Sequence, residues 1–203
     1  MKGRESGMPD EAYWASFFNP EGVLDHLLDS SGSGCNVVEF GCGYGTFTLA
    51  AAKRTHGLVS ALDIEPAMVR LVARRAKAEG LSNVRAEMRD FVEHGTGLAN
   101  RSQGHVMVFN LLHIEAPVVL LREAFRVLQP GGVLSVIHWR SDIETPRGPP
   151  MSIRPHPEQC ATWLSETGFD VVDTIDLGAC APYHFGLLAR RPVHQRSLKD
   201  PIE

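Results

Sequence analysis

Apolar positions along this chain switch between two periods. Short, mostly apolar runs at 35–40, 58–63, 105–109 and 133–137, and an alternating one at 83–88, are interleaved with longer segments whose apolar residues recur three and four apart. The runs predict buried strands and the longer segments predict helices, the alternation of an α/β domain with a parallel sheet. Residues 46–54 are the first crossover helix, with Phe47, Leu49, Ala50 and Ala51 as its apolar content. Pro66 opens the next helix at a position where its missing N–H costs nothing, and Gly80 closes it. Residues 117–128 carry Val118, Leu121, Ala124, Phe125 and Leu128 on one stripe. A last helix at 157–167 ends before Gly168, and strands at 169–177 and 182–190 then form an antiparallel hairpin.

The flanks read differently. Tyr13 and Phe17 stand four apart, as do Trp14 and Phe18, so a helix there carries an aromatic face. Asn19 is placed to cap a second helix that starts at Pro20 and uses Val23, Leu24, Leu27 and Leu28 as its stripe. Residues 30–34 are a loop by composition, 93–104 a weak helix or loop, and 128–132 a Pro-Gly-Gly turn. Between 138 and 157, five prolines crowd together with Arg140, Arg147 and Arg154, which reads as a lid or substrate wall. The chain thus divides into an N-terminal aromatic arm or lid at 1–19, a domain at 20–191 and a polar tail at 192–203. The arginines and Lys77 of the 66–79 helix read as a solvated face.

One stretch concentrates candidate chemistry. Val37-Val38-Glu39-Phe40-Gly41-Cys42-Gly43-Tyr44-Gly45-Thr46 is an apolar run, an acid, and three glycines at alternate positions before a helix. Glycine tolerates positive φ and lets a ligand lie on the backbone. The dinucleotide fingerprint G-x-G-x-x-G/A needs a third small residue where Thr46 stands, and the Lys-Ser/Thr pair of a P-loop is missing. Asp63 ends the second strand roughly 20 positions beyond, where an acid accepts hydrogen bonds from ribose hydroxyls.

The acidic-x-G-x-G-x-G stretch resembles the first motif of the class I S-adenosylmethionine-dependent methyltransferases. The R-V-L-x-P-G-G stretch from Arg126 to Gly132 is similar to their small-molecule, methyltransferase type 11 branch, which includes ubiquinone and menaquinone biosynthesis enzymes. The resemblance implies a doubly wound, Rossmann-like seven-stranded sheet of order 3-2-1-4-5-7-6, with strand 7 antiparallel. It implies methyl transfer from S-adenosyl-L-methionine to a small molecule by in-line displacement, leaving S-adenosyl-L-homocysteine. By the same resemblance Glu39 holds the methionine ammonium, and Gly41, Cys42, Gly43 and Tyr44 form the backbone cradle. Asp63 holds the ribose, Ile64 and Met68 flank the adenine, Asp90 takes its amino group, and the Phe91 backbone N–H meets the ring. Asn110 opens the motif after the fourth strand. That motif reads Asn110-Leu111-Leu112-His113 in place of the Asn/Asp-Pro-Pro-aromatic of nucleobase and some protein methyltransferases, which counts against an amide or nucleobase target. His113 is the candidate base, and Tyr13, Phe17, His138, Arg147 and Arg154 are candidate substrate contacts.

Composition narrows the rest. A net charge of −4 gives no global attraction for nucleic acid. Cys35, Cys42, Cys160 and Cys180 show no metal or disulfide spacing, and no histidine pair has zinc-ligand spacing, so no metal is expected. Reduced thiols, no signal peptide and no membrane-length apolar run point to a cytoplasmic monomer or homodimer. Three alternatives stay open: a non-catalytic cofactor-binding module, an RNA or protein methyltransferase that needs a partner, and an NAD-dependent oxidoreductase.

Overall fold

The computed structural model describes residues 8–28 and 34–193. The expectations for residues 1–7 of the arm, for the loop at 30–33 and for the tail beyond 193 lie outside the described residues. Seven strands form one sheet: β1 (Val37–Phe40), β2 (Val59–Asp63), β3 (Val84–Met88), β4 (Gln103–Phe109), β5 (Leu128–Trp139), β6 (Asp170–Ile175) and β7 (His184–Arg190). Their order is β3-β2-β1-β4-β5-β7-β6, and β7 runs antiparallel to both its neighbours. The helices are α1 (Glu11–Ala15), α2 (Pro20–Leu27), α3 (Thr46–Ala52), α4 (Pro66–Ala78), α5 (Phe91–His94), α6 (Pro117–Val127) and α7 (Pro157–Glu166).

Side chains alternate across a strand, and the sheet uses both faces. In β4, Val106 and Val108 join the core beneath α6 and α7, whereas Met107 and Phe109 join the core beneath α2 and α3. Burial on both faces is why these strands read as continuous apolar runs. The acids and polar groups collect instead at the carboxyl ends of β1, β2, β4 and β5, where an open α/β sheet binds its ligands.

Three boundaries differ from the sequence expectation. β5 begins at Leu128, five residues before the predicted strand, because Leu128 pairs with Gln103 and the register then slips between Gln103 and His105. The predicted Pro-Gly-Gly turn is therefore an irregular strand start, with Gly131 at φ 80°. The weak segment after Asp90 contains only the four-residue α5, which the Asp90 side chain caps by accepting the Glu93 N–H at 3.0 Å. The hairpin connection holds one 3-10 turn, Gly178–Cys180. Asn19 caps α2 as expected, accepting the Gly22 N–H at 3.2 Å. Arg191, only 6% exposed, donates to the carbonyls of Phe125 and Leu128 at 2.6 and 2.7 Å and so ties the end of β7 to the last turn of α6. Among the described residues no helix is long and apolar enough to cross a membrane.

Candidate active site

β1 delivers Glu39 and then the glycine loop to the carboxyl edge of the sheet. Gly41, Gly43 and Gly45 have φ of 74°, 50° and 80°, a region in which a Cβ is strained. Four amides of the loop are spent internally. Gly41 and Cys42 both donate to the Leu62 carbonyl, Gly45 donates to the Cys42 carbonyl, and Gly43 donates to Asp63 Oδ2 at 2.8 Å. A pyrophosphate cradle leaves such amides aimed at the ligand. This loop offers a close-fitting surface and a carboxylate edge, so it suits a cationic ligand better than an anionic one. The Cys42 side chain is buried against Ala61 and Val72, and burial pushes its thiol up, so Cys42 contributes backbone and no nucleophile.

Glu39 is 2% exposed, and its carboxyl accepts a short hydrogen bond from the Thr48 hydroxyl of α3. Burial pushes its pKa up to about 8; the Thr48 bond opposes this and the charge of Asp63 adds to it. Asp63, 3% exposed, accepts from the Gly43 N–H through one oxygen and from the Glu65 N–H, at 2.9 Å, through the other. A carboxylate has about four lone-pair sites, so each oxygen keeps capacity for a hydroxyl. Thr48 and Glu65 were not singled out in the sequence. The first lies two helical positions past Thr46, and the second repeats the acid two residues after Asp63.

Asn110 follows β4 in a left-handed conformation, φ 58°. Its side-chain oxygen and nitrogen are both buried with no hydrogen-bond partner. An orphaned amide costs roughly 1–3 kcal/mol, and a polar ligand at this edge removes that cost. Asp90 is engaged as the cap of α5, a role compatible with an adenine contact. The Phe91 ring is core, 5.1 Å from the Phe40 ring, so only its backbone can face a ligand. Ile64 and Met68 are half-buried at the end of β2 and in the first turn of α4.

The aromatic arm lies across the glycine loop. A Cβ on Gly43 would meet Met8 Cε at 3.1 Å, and the Tyr44 hydroxyl donates to the Pro9 carbonyl at 2.6 Å. Trp14 Nε1 donates to Thr46 Oγ1 at 3.2 Å. Arg75, expected on a solvated face, instead donates to the Tyr44 carbonyl at 2.9 Å and pairs with Glu11, so α4 clamps loop and arm together. Tyr13 reaches across to the Pro146 carbonyl at 3.2 Å. Phe17 does not join it at a ligand surface: it is 3% exposed and packed on Trp139 with ring centroids 5.3 Å apart.

At the carboxyl ends of β4 and β5, His113 Nδ1 and His138 Nε2 lie 3.2 Å apart, and His138 Nδ1 lies 3.2 Å from the Trp139 carbonyl. His184 stacks on Trp139 and Phe18, with neither ring nitrogen hydrogen-bonded. Burial pushes all three histidines down, His138 to about 3 and His184 well below its ordinary value, and Arg154 adds to this in each case. Arg154 itself was read as a receiver of anionic substrate. Its guanidinium donates instead to the carbonyls of Pro149, Arg140 and Arg147 at 2.8, 2.9 and 3.2 Å, and it is 8% exposed. It pins the Pro-rich loop from inside and projects a positive charge toward the histidines. Arg147 contributes a carbonyl to this pin. Among the described residues no group of three or more histidine, cysteine or acidic side chains is placed to hold a metal ion.

Residues 37–132 match a family described as methyltransferase domain. By its sheet order and by this match, the chain has the fold of class I methyltransferases. The chain superposes on a SAM-dependent methyltransferase from Aquifex aeolicus with a TM-score of 0.76 at 24% identity, covering 90% of this chain and 94% of that one. It also superposes on the [4+2]-cyclase SpnF with a TM-score of 0.72 at 21% identity, covering 86% and 80%. A curated relative, ribosomal protein L11 methyltransferase of Dechloromonas aromatica, is 28% identical over 115 residues, 56% of this chain. The match spans only 35% of that relative's own length. The Aquifex aeolicus neighbour is SAM-dependent, and the residues here fit S-adenosylmethionine: a buried carboxyl for a cation, an acid at the end of β2 and an orphaned amide at the end of β4.

Proposed function

We propose that this methyltransferase moves a methyl group from S-adenosylmethionine to a small molecule, at a neutral hydroxyl. The observation that carries the cofactor half is Glu39, a buried carboxyl behind a loop whose Gly41, Cys42, Gly43 and Gly45 amides are already spent. S-adenosylmethionine, when bound, supplies a methyl group already activated on a sulfonium. The chain's residues then bind and align. Glu39 receives the ammonium, Asp63 the ribose hydroxyls, Asp90 and the Phe91 N–H the adenine, with Ile64 and Met68 beside the ring. Gly41, Gly43 and Tyr44 bring backbone against the ligand, and Asn110 completes the edge. Proximity and orientation supply most of the acceleration in such a displacement.

The acceptor half rests on the charge around His113. The three histidines feel Arg154 and one another, with no carboxylate contributing to their shifts. An ammonium acceptor finds no counter-ion there, and a carboxylate acceptor needs no base. A neutral hydroxyl gains from both a base and a nearby positive charge. Tyr13, His138 and the loop around Arg147 would wall this side, and residues 8–18 would close over the glycine loop as a lid. The four cysteines are all free, which supports a reducing, cytoplasmic setting.

Calorimetry with S-adenosylhomocysteine and, separately, NADH tests the cofactor half: micromolar binding of the first and none of the second is expected, and the reverse defeats it. Mass spectrometry of a panel of alcohols, phenols, amines and acids, each incubated with protein and S-adenosylmethionine, tests the acceptor half. The L11 methyltransferase relative favours a second reading, a protein acceptor. Methylation of purified ribosomal protein L11, with the small-molecule panel untouched, would select it.

A further inference from the structure

A chain of hydrogen bonds assigns the protons on two histidines. The Trp139 carbonyl has no hydrogen to give, so His138 Nδ1, 3.2 Å away, must carry one. His138 is fully buried and burial keeps it neutral, so its Nε2 is then a bare acceptor. The partner of that nitrogen is His113 Nδ1 at 3.2 Å, which must therefore donate. His113, likewise kept neutral by burial and by Arg154, has one proton only. Its Nε2 is left as a lone pair. That atom has no protein partner among the described residues and is not among the buried unsatisfied atoms, in contrast to both nitrogens of His184.

We infer that His138 is a positioning residue, holding His113 in the one tautomer whose Nε2 can take the proton of a hydroxyl acceptor. The two rings meet at 5.4 Å and 65° because β4 and β5 are adjacent parallel strands, with Phe109 opposite Ile137; His138 is the penultimate residue of β5 and His113 follows the end of β4. The backbone carbonyl of Trp139 takes the part that a carboxylate plays when it orients a catalytic histidine. The step balances as follows. The acceptor oxygen forms a bond to the methyl carbon, the bond from sulfur to that carbon breaks with its electron pair left on sulfur, and the hydroxyl proton moves to His113 Nε2. The sulfonium charge thereby reappears on the imidazole. His113 Nδ1–H keeps its bond to His138 throughout, so the ring does not turn when it becomes charged.

The use of the lone pair rests on the methyl-transfer reading; the tautomer is a property of the free protein. The test is therefore nitrogen-15 correlation spectroscopy of the histidine rings in the ligand-free, full-length protein at neutral pH, with signals assigned by single substitutions. Both His113 and His138 are expected as Nδ1–H tautomers with unprotonated Nε2. His138→Gln, whose amide can both donate to the Trp139 carbonyl and accept from His113, is expected to keep the His113 pattern. His138→Phe is expected to lose it in favour of Nε2–H. A wild-type His113 that is Nε2–H or charged overturns the inference, as does an unchanged His113 pattern in a folded His138→Phe protein. If that variant does not fold, the wild-type and His138→Gln spectra still decide. Absence of S-adenosylhomocysteine binding would defeat the methyl-transfer reading and leave the tautomer result standing.

Discussion

A carboxyl group that is 2% exposed and pushed up to about 8 by burial is uncharged in most molecules at neutral pH. An arriving ammonium favours the ionised form, so cofactor binding below that value expels a proton from Glu39. Affinity for S-adenosylhomocysteine should therefore rise as pH climbs toward about 8, by up to about tenfold per pH unit. Glu39→Gln should flatten the profile and weaken binding. Calorimetry in two buffers of different ionisation enthalpy would count the proton, and a binding step that releases none at pH 7 would contradict the assignment. The same shift acts on folding with a definite sign. The folded pKa lies above the unfolded 4.5, so the contribution of Glu39 is fully present below 4.5 and fades as pH rises through about 8. The ligand-free protein should melt at lower temperature at pH 8 than at pH 5. Asp63→Ala removes both the proposed ribose acceptor and the partner of the Gly43 N–H. It should cost about 1.5–3 kcal/mol of cofactor binding, read by titration.

At the scale of elements, what was legible in the sequence is what local chemistry decides. Buried strands needed apolar runs, the glycine loop needed positive φ, and Asn19 capped α2 because its side chain can accept an amide. What was not legible depends on which strands end side by side. His113 and His138 lie 25 positions apart and meet only through the pairing of β4 and β5. Arg154 looks like any exposed arginine until the loop's carbonyls converge on it. Arg75 looks like one of a solvated row until Glu11 arrives from the arm. The early start of β5 came from Gln103, a polar residue outside the apolar run. These contacts fasten the arm to the loop from outside the core, which begins at Phe17. Removing residues 1–16, which spares the buried Phe17 and Phe18, should leave the fold intact and raise the cofactor off-rate in stopped flow. Arg75→Ala should do the same more weakly, since it leaves the bonds from Trp14 and Tyr44 in place. An off-rate unchanged by the deletion would make the arm a structural cover alone.

At the scale of the whole molecule, two cores on opposite faces of one sheet share the same strands. β5 belongs to both, with Leu134 and Val136 on one side and Ile137 and Trp139 on the other. Leu134→Ala, at a fully buried position, should cost about 2–5 kcal/mol of stability in urea unfolding. Both faces should come apart in a single transition. A change confined to one face, seen as two transitions, would show that the cores unfold independently.

The chain contains only three tryptophans, Trp14, Trp139 and Trp163. Trp14 sits half-buried on the lip of the glycine loop, its indole N–H held by Thr46, whereas Trp139 is almost fully buried beneath His184. The protein thus carries its own optical gauge of closure. With Trp139 and Trp163 changed to phenylalanine, the colour of the remaining emission would follow the arm alone, blue while the indole is seated and redder once water reaches it. Entry and exit of the cofactor could then be timed by intrinsic light, with no dye attached and no substrate known.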